Sequence, residues 1–187
     1  MFINSQLADD LYFLNETLFE PTDEGENVLD IERVIIRYQP SDNFSLQAGR
    51  FHTSLSYWNE TFHHGEFLQD RIGRPSILNF EDEDGLPPMH SIGLRAQGIV
   101  DADTMAVEYK VEIANGRGPT PDPPQVTVDA NDHKAINVSL SFEFDSLSGL
   151  QVGTGYYIDK IPSYVDEDDA FVHGELDEDV MSIFPPT

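Results

Sequence analysis

The sequence predicts an all-β chain: an antiparallel, up-and-down transmembrane β-barrel, or a partial barrel of about eight strands, with short periplasmic turns and long extracellular loops. Three observations carry this expectation. Residues 104–114 (TMAVEYKVEIA) put Met105, Val107, Tyr109, Val111 and Ile113 on one face, with Ala106, Glu108, Lys110 and Glu112 on the other. The run 135–144 repeats the two-residue beat, which only a pleated strand produces. Each run is about ten residues long, enough to cross a bilayer at a tilt and longer than the usual soluble strand of about 5 to 6 residues. Finally, connections alternate between short polar turns and long excursions, the pattern of membrane barrels.

The elements follow in order. Strands are expected near 2–6, 11–20, 28–38, 44–51, 90–100, 104–114, 134–144 and 150–160. Tight turns at 7–10, 39–43, 101–103 and 145–149 are rich in Asp, Asn, Ser, Pro or Gly, as hairpins require. The excursions are 21–27, 52–89, 115–133 and 161–187, which hold most of the prolines and the densest acidic runs. In 90–100 the apolar set Ile92, Leu94, Ala96 and Val100 opposes Ser91, Gly93, Arg95 and Gln97. In 150–158 Leu150, Val152, Tyr156 and Ile158 oppose Gln151, Gly153, Gly155 and Tyr157. Small polar-face residues suit the crowded interior of a curved wall. The strand at 11–20 has no clear phase, because Tyr12, Leu14 and Leu18 compete with Leu11, Phe13 and Phe19. Aromatics near strand ends, including Tyr38, Phe44, Tyr57, Trp58 and Phe144, suit interfacial girdles.

Composition bounds the function. Thirty-five acidic against ten basic residues give a formal charge of -25, which argues against nucleic acid and anionic surfaces as partners and favours cations. No apolar run is long enough for a transmembrane helix, and cysteine is absent, which removes disulfides and thiolate chemistry. No secretory signal can be read at the start. The opening FINSQL resembles the end of a strand and the final IFPPT lacks a closing amphipathic strand. The expectation is therefore a single segment, 1–187, of a larger barrel, with 52–89 a long loop and 161–187 an acidic loop or truncated end.

The segment GRFHTSLSYWNETFHHGEFLQDRIGRP, 49–75, followed by NFEDEDGLPPMHSIGLRAQG, 79–98, resembles a family of porin-like bacterial outer-membrane β-barrel proteins. The GRFH, YWN, HHG and RP elements at 49–52, 57–59, 63–65 and 74–75 carry the likeness, with weaker matches elsewhere in 1–160. The resemblance implies a bacterial outer-membrane location, contact with outer-membrane lipid and lipopolysaccharide, and passive passage of small solutes or ions. It leaves homo-oligomers open and implies no cofactor. Phosphate selectivity is not carried over, because Glu108, Glu112, Glu143 and Asp159 offset the basic residues on the same faces.

Candidate lumen-lining residues are Arg33, Arg37, Arg95, Glu108, Lys110, Glu112 and Glu143, charges that belong in water rather than hydrocarbon. The loop 52–89 is expected to fold into the pore as a constriction. Its aromatics need an apolar surface, and Tyr57, Trp58, Glu60, His63, His64, Glu66, Asp70, Arg71 and Arg74 are its candidate residues. His52, His63 and His64 with Glu60, Glu66 and Asp70 could gather round a divalent metal. Adjacent histidines are not at a ligand spacing, however, and HExxH and HxH are absent, so loop packing is preferred and no metal is expected. No EF-hand, phosphate-loop, GxSxG or SxxK pattern occurs, and no enzyme activity is expected. The competing class is a soluble β-sandwich binding module for carbohydrate or a Ca-dependent ligand, whose alternation would turn its apolar face inward.

Overall fold

The computed structural model describes residues 1–21, 27–61, 63, 87–118, 129, 132–147, 150–161 and 180–182. The chain forms one antiparallel sheet whose nine strands follow in sequence order: β1 Phe2–Ala8, β2 Leu11–Pro21, β3 Asn27–Ser41, β4 Phe44–His52, β5 His90–Ala102, β6 Met105–Ala114, β7 Ala135–Phe144, β8 Gln151–Lys160 and β9 Val180–Ser182. Among the described residues one short helix, α1 Tyr57–Thr61, follows β4. The sheet is not closed: among the described residues no ladder joins β1 to β9. The eight expected strands all form, and several run into the flanking turns because cross-strand bonds continue there, as in the Ser41 to Phe44 pair. The short β9 lies in the stretch expected to be an acidic loop, and pairs through Val180 to Ser182 with the end of β8. The rest of 162–187 lies outside the described residues.

Register settles which residues share a face. Val107, Tyr109 and Val111 sit opposite Phe142, Leu140 and Val138, while Glu108, Lys110 and Glu112 sit opposite Ser141, Ser139 and Asn137. The two faces differ in the opposite sense from a soluble protein. Leu94 (51 %), Ile113 (50 %) and Val152 (50 %) are exposed, whereas Gln47 (4 %), Arg95 (6 %), Glu112 (1 %) and Asn137 (2 %) are buried. Among the described residues, buried polar side chains outnumber buried apolar ones. The small apolar cluster of Leu55, Ala135 and Tyr157 lies on the inner face, where the chain after β4 meets β7 and β8.

A β-bulge interrupts β3 opposite β2. Glu16 pairs with Arg33 and Thr17 with Ile31, so Glu32 is the extra residue. Such an insertion shifts the alternation by one position and re-aims the side chains beyond it. Before the bulge Leu29 and Ile31 are exposed; after it Ile36 and Tyr38 are, while Ile35 is buried. On β2, Tyr12 and Leu14 share the inner face with Arg37 and Ile35. Gly49 is held at φ 132°, and a Cβ there would lie 1.9 Å from the Val34 carbonyl oxygen. Only glycine lets β4 approach β3 at this point.

Candidate functional site

Two polar assemblies occupy the inner side, both organised by the chain that leaves β4. Its first residues turn back over the sheet instead of leaving it. The Ser54 backbone N–H donates to Glu112 Oε1 at 2.9 Å, and Asn137 Nδ2 donates to Ser54 Oγ at 3.1 Å and to Glu112 Oε2 at 2.8 Å. Arg95 Nε donates to Glu112 Oε1 at 2.6 Å, and the same guanidinium bonds the His52 carbonyl and lies over the Phe51 ring, 4.5 Å from its centroid. Glu112 is therefore a buried anion with a cation and two polar donors, the condition under which a carboxylate is tolerated inside a protein. A Cβ at Gly155 would come within 3.0 Å of the Leu55 carbonyl, so a small residue in β8 makes room for the segment.

Ser56 caps α1 by accepting the Asn59 N–H at 3.1 Å. The helix sends Glu60 towards the basic residues of the wall: Lys110 Nζ donates to Glu60 Oε2 at 2.6 Å, and Arg95 Nη1 lies 3.4 Å from Oε1. Burial holds the Glu60 carboxyl above its ordinary range, and the attraction of Arg95 and Lys110 offsets only part of that effect. Beside this ion pair lies a cavity of about 240 Å³ that also reaches Asn4, Tyr12, Arg33, Arg37, Gln47, Gln97 and Glu108. Arg33 is paired with Glu16 at 2.6 Å across the bulge. The cavity is thus lined by both signs of charge.

The structure gathers Arg33, Arg37, Arg95, Glu108 and Lys110 round this one cavity, as expected for residues on a common face. Glu112 shares their face but lies beneath the docked segment. Glu143 is exposed near the short turn that leaves β7, away from the rest. Of the candidate constriction residues, Glu60 lines the cavity, Trp58 is half-buried and Tyr57 is 63 % exposed on α1. His64, Glu66, Asp70, Arg71 and Arg74 lie outside the described residues.

The second assembly joins His52 and His63, which the sequence analysis grouped, to Glu32 and His90, which it did not. Glu32 from the bulge of β3, His52 from the end of β4, His90 from the start of β5 and His63 from the chain after α1 converge, all buried. Their potential donor atoms lie within 4.8 Å of one another. Glu32 Oε2 is 2.6 Å from His90 Nε2, 3.4 Å from His63 Nε2 and 3.9 Å from His52 Nε2. The His52 and His63 rings stack with centroids 3.7 Å apart, and His90 meets both edge-on at 5.2 and 4.6 Å.

Asn59 sets the chemistry of His63. Its Nδ2 donates to the carbonyls of Thr53 and Met89, each at 2.9 Å, which fixes the amide orientation and leaves Oδ1 as an acceptor. The 2.9 Å bond between Asn59 Oδ1 and His63 Nδ1 then requires the proton on Nδ1. In the neutral ring, Nε2, the nitrogen turned towards Glu32, then carries the lone pair. His52 and His63 were grouped with His64, Glu60, Glu66 and Asp70; the structure keeps His52 with His63 and adds Glu32 and His90 through strand pairing, while Glu60 turns to Lys110. The bulge shows in the spacing of β3: its exposed residues step Leu29, Ile31, then Ile36, Tyr38, and the odd interval between 31 and 36 marks the extra residue at Glu32. Comparison with family models, curated proteins and solved structures gives no match to this chain.

Proposed function

We propose that this chain forms part of the wall of a porin-like channel of the bacterial outer membrane, through which small solutes or ions pass passively. The observation that carries the proposal is the inverted distribution of polarity. Apolar residues such as Leu94, Ile113, Ile136 and Val152 form the exposed face, while Arg95, Glu112, Asn137 and Asp159 are buried on the other. In water that arrangement is unfavourable by about 25 cal/mol for each Å² of apolar surface left exposed; in lipid it is the stable one. A β-sandwich would need a second sheet over the apolar face, and among the described residues there is only one sheet.

The open edges at β1 and β9 cannot face hydrocarbon, where unpaired backbone groups cost several kcal/mol each, so the channel requires partner strands at both. The segment 53–61, bound across β5 to β8, then narrows the lumen, and the ion pair of Glu60 with Lys110 stands at the narrow point. The mixed charge round the cavity favours weak selectivity rather than an anion-specific filter. The test is planar-bilayer recording of the closed barrel, with the partner strands at β1 and β9 present, inserted in its membrane form. Stepwise conductance is expected, with a Glu108→Lys variant shifting the reversal potential towards anions. Correctly inserted protein that conducts nothing above the lipid background would refute the proposal.

A further inference from the structure

We propose that Glu32, His52, His63 and His90 form a binding site for a divalent transition-metal ion, with zinc the occupant that suits the donors best. The inference goes beyond the channel proposal and does not depend on it, since it stands on the local geometry of four side chains. Three imidazole nitrogens and one carboxylate are a complete tetrahedral set for zinc, at ligand distances of about 2.0 to 2.2 Å. Such a shell places neighbouring donors about 3.4 Å apart. The His63 to Glu32 separation is 3.4 Å, and those from His90 and His52 are 2.6 and 3.9 Å. Bringing the latter two into the shell needs shifts of under about 1 Å, within reach of side-chain torsions.

Three further features support the assignment. The bulge exists at Glu32, where regular alternation would have turned this carboxylate away from the others. The bond from His63 Nδ1 to Asn59 holds that ring by its remote nitrogen and presents Nε2 to the cluster, the outer-shell arrangement usual for metal-bound histidine. Three imidazoles packed round one carboxylate can share a single dication, whereas charging more than one ring places like charges a few ångströms apart. All four residues are between 4 and 7 % exposed, so the shell is closed and its role is structural rather than catalytic. The metal joins β3, β4 and β5 to the chain beyond α1 and so locks the segment that lies over the inner face.

The test uses the full chain, without a histidine tag, in detergent micelles after chelator treatment and dialysis. Calorimetric titration with zinc chloride should give one high-affinity ion per chain. His63→Gln, His90→Gln and Glu32→Gln should each weaken that binding at least 100-fold, while His133→Gln, at an exposed histidine, should leave it within twofold. Far-UV circular dichroism and Trp58 emission establish that each variant is folded. Where a variant does not fold, cobalt substitution of the wild-type protein decides: a tetrahedral ligand-field spectrum and X-ray absorption with three imidazoles in the shell are expected. No stoichiometric zinc, unchanged affinity in the folded His63→Gln/His90→Gln double variant, or an oxygen-only shell like that of loop carboxylates would overturn the proposal.

Discussion

Replacing Glu112 by alanine should release the segment 53–61 from the wall. The Glu112 carboxylate is 1 % exposed and takes hydrogen bonds from Arg95 Nε, the Ser54 N–H and Asn137 Nδ2 at 2.6, 2.9 and 2.8 Å. Each charge-assisted bond of this kind is worth about 1.5 to 3 kcal/mol net, but they are not independent. The better guide is the removal of one partner from a buried ion pair, about 3 to 5 kcal/mol, because the Arg95 guanidinium stays behind in the same low-dielectric site. Arg95 retains the His52 carbonyl and Glu60, so the lower end of that range, about 3 kcal/mol, is expected. Glu112→Gln keeps the shape and part of the bonding and should cost less. Urea unfolding of protein inserted in lipid vesicles measures the loss, and the single tryptophan, Trp58, lies on α1, so its emission reports on the docked segment. Both variants falling within about 0.5 kcal/mol of wild type, the range of ordinary surface substitutions, would refute the argument that Glu112 anchors the segment.

Three further outcomes are expected. Val111→Arg or Leu140→Arg, on the apolar face, should each destabilise the membrane-inserted form by about 2 to 4 kcal/mol near the bilayer midplane, measured by the same unfolding assay; no loss at either position would assign the faces wrongly. Gly49→Ala should cost at least about 2 kcal/mol, because the backbone conformation at φ 132° excludes a side chain and the new Cβ would meet the Val34 carbonyl; wild-type thermal stability in the variant would count against the close approach of β3 and β4. Since burial raises the Glu60 pKa, the folded state binds this proton more tightly than the unfolded chain does, and stability from this group is greatest at low pH and falls as pH rises from the unfolded value of 4.5 through the raised folded one. Glu60→Gln should accordingly flatten that part of the stability profile, and an identical pH dependence in both proteins would show that Glu60 is not the group responsible.

Much of the wall was legible because strands report themselves locally. The alternation of 104–114 and 135–144 gave both the elements and their faces, and the observed register places Val111 opposite Val138 and Glu112 opposite Asn137. The phase of β2 was not legible, because large apolar residues stand on both of its faces, Tyr12 and Leu14 on the cavity side and Phe19 exposed on the other, so alternation offers no contrast. The other half of the histidine cluster, Glu32 and His90, was hidden for a different reason. The cluster's members lie at 32, 52, 63 and 90, and only the pairing of His52 with His90 across β4 and β5, together with the bulge, brings them within reach. Sequence proximity instead grouped His63 with Glu60, whose helix turns it to Lys110. The inward docking of 53–61 was foreseeable from its aromatic and charged content, but its anchors at Glu112 and Asn137 are contacts between residues 58 and 83 positions apart, which no local pattern encodes.

The bonds round Asn59 divide the long connection between β4 and β5 into two parts with different freedom to change. The Thr53 N–H donates to the Met89 carbonyl at 2.9 Å, its hydroxyl reaches the Pro88 and Met89 carbonyls, and Asn59 ties Thr53 to Met89 a second time. The two feet of the connection are thereby fastened to each other at the rim, independently of what is inserted between them. Doubling the length of a flexible insertion beyond such a clasp adds only about 0.6 kcal/mol of closure entropy. A change in the length or sequence of 64–86 therefore leaves this clasp intact and, with it, the register of β4 against β5.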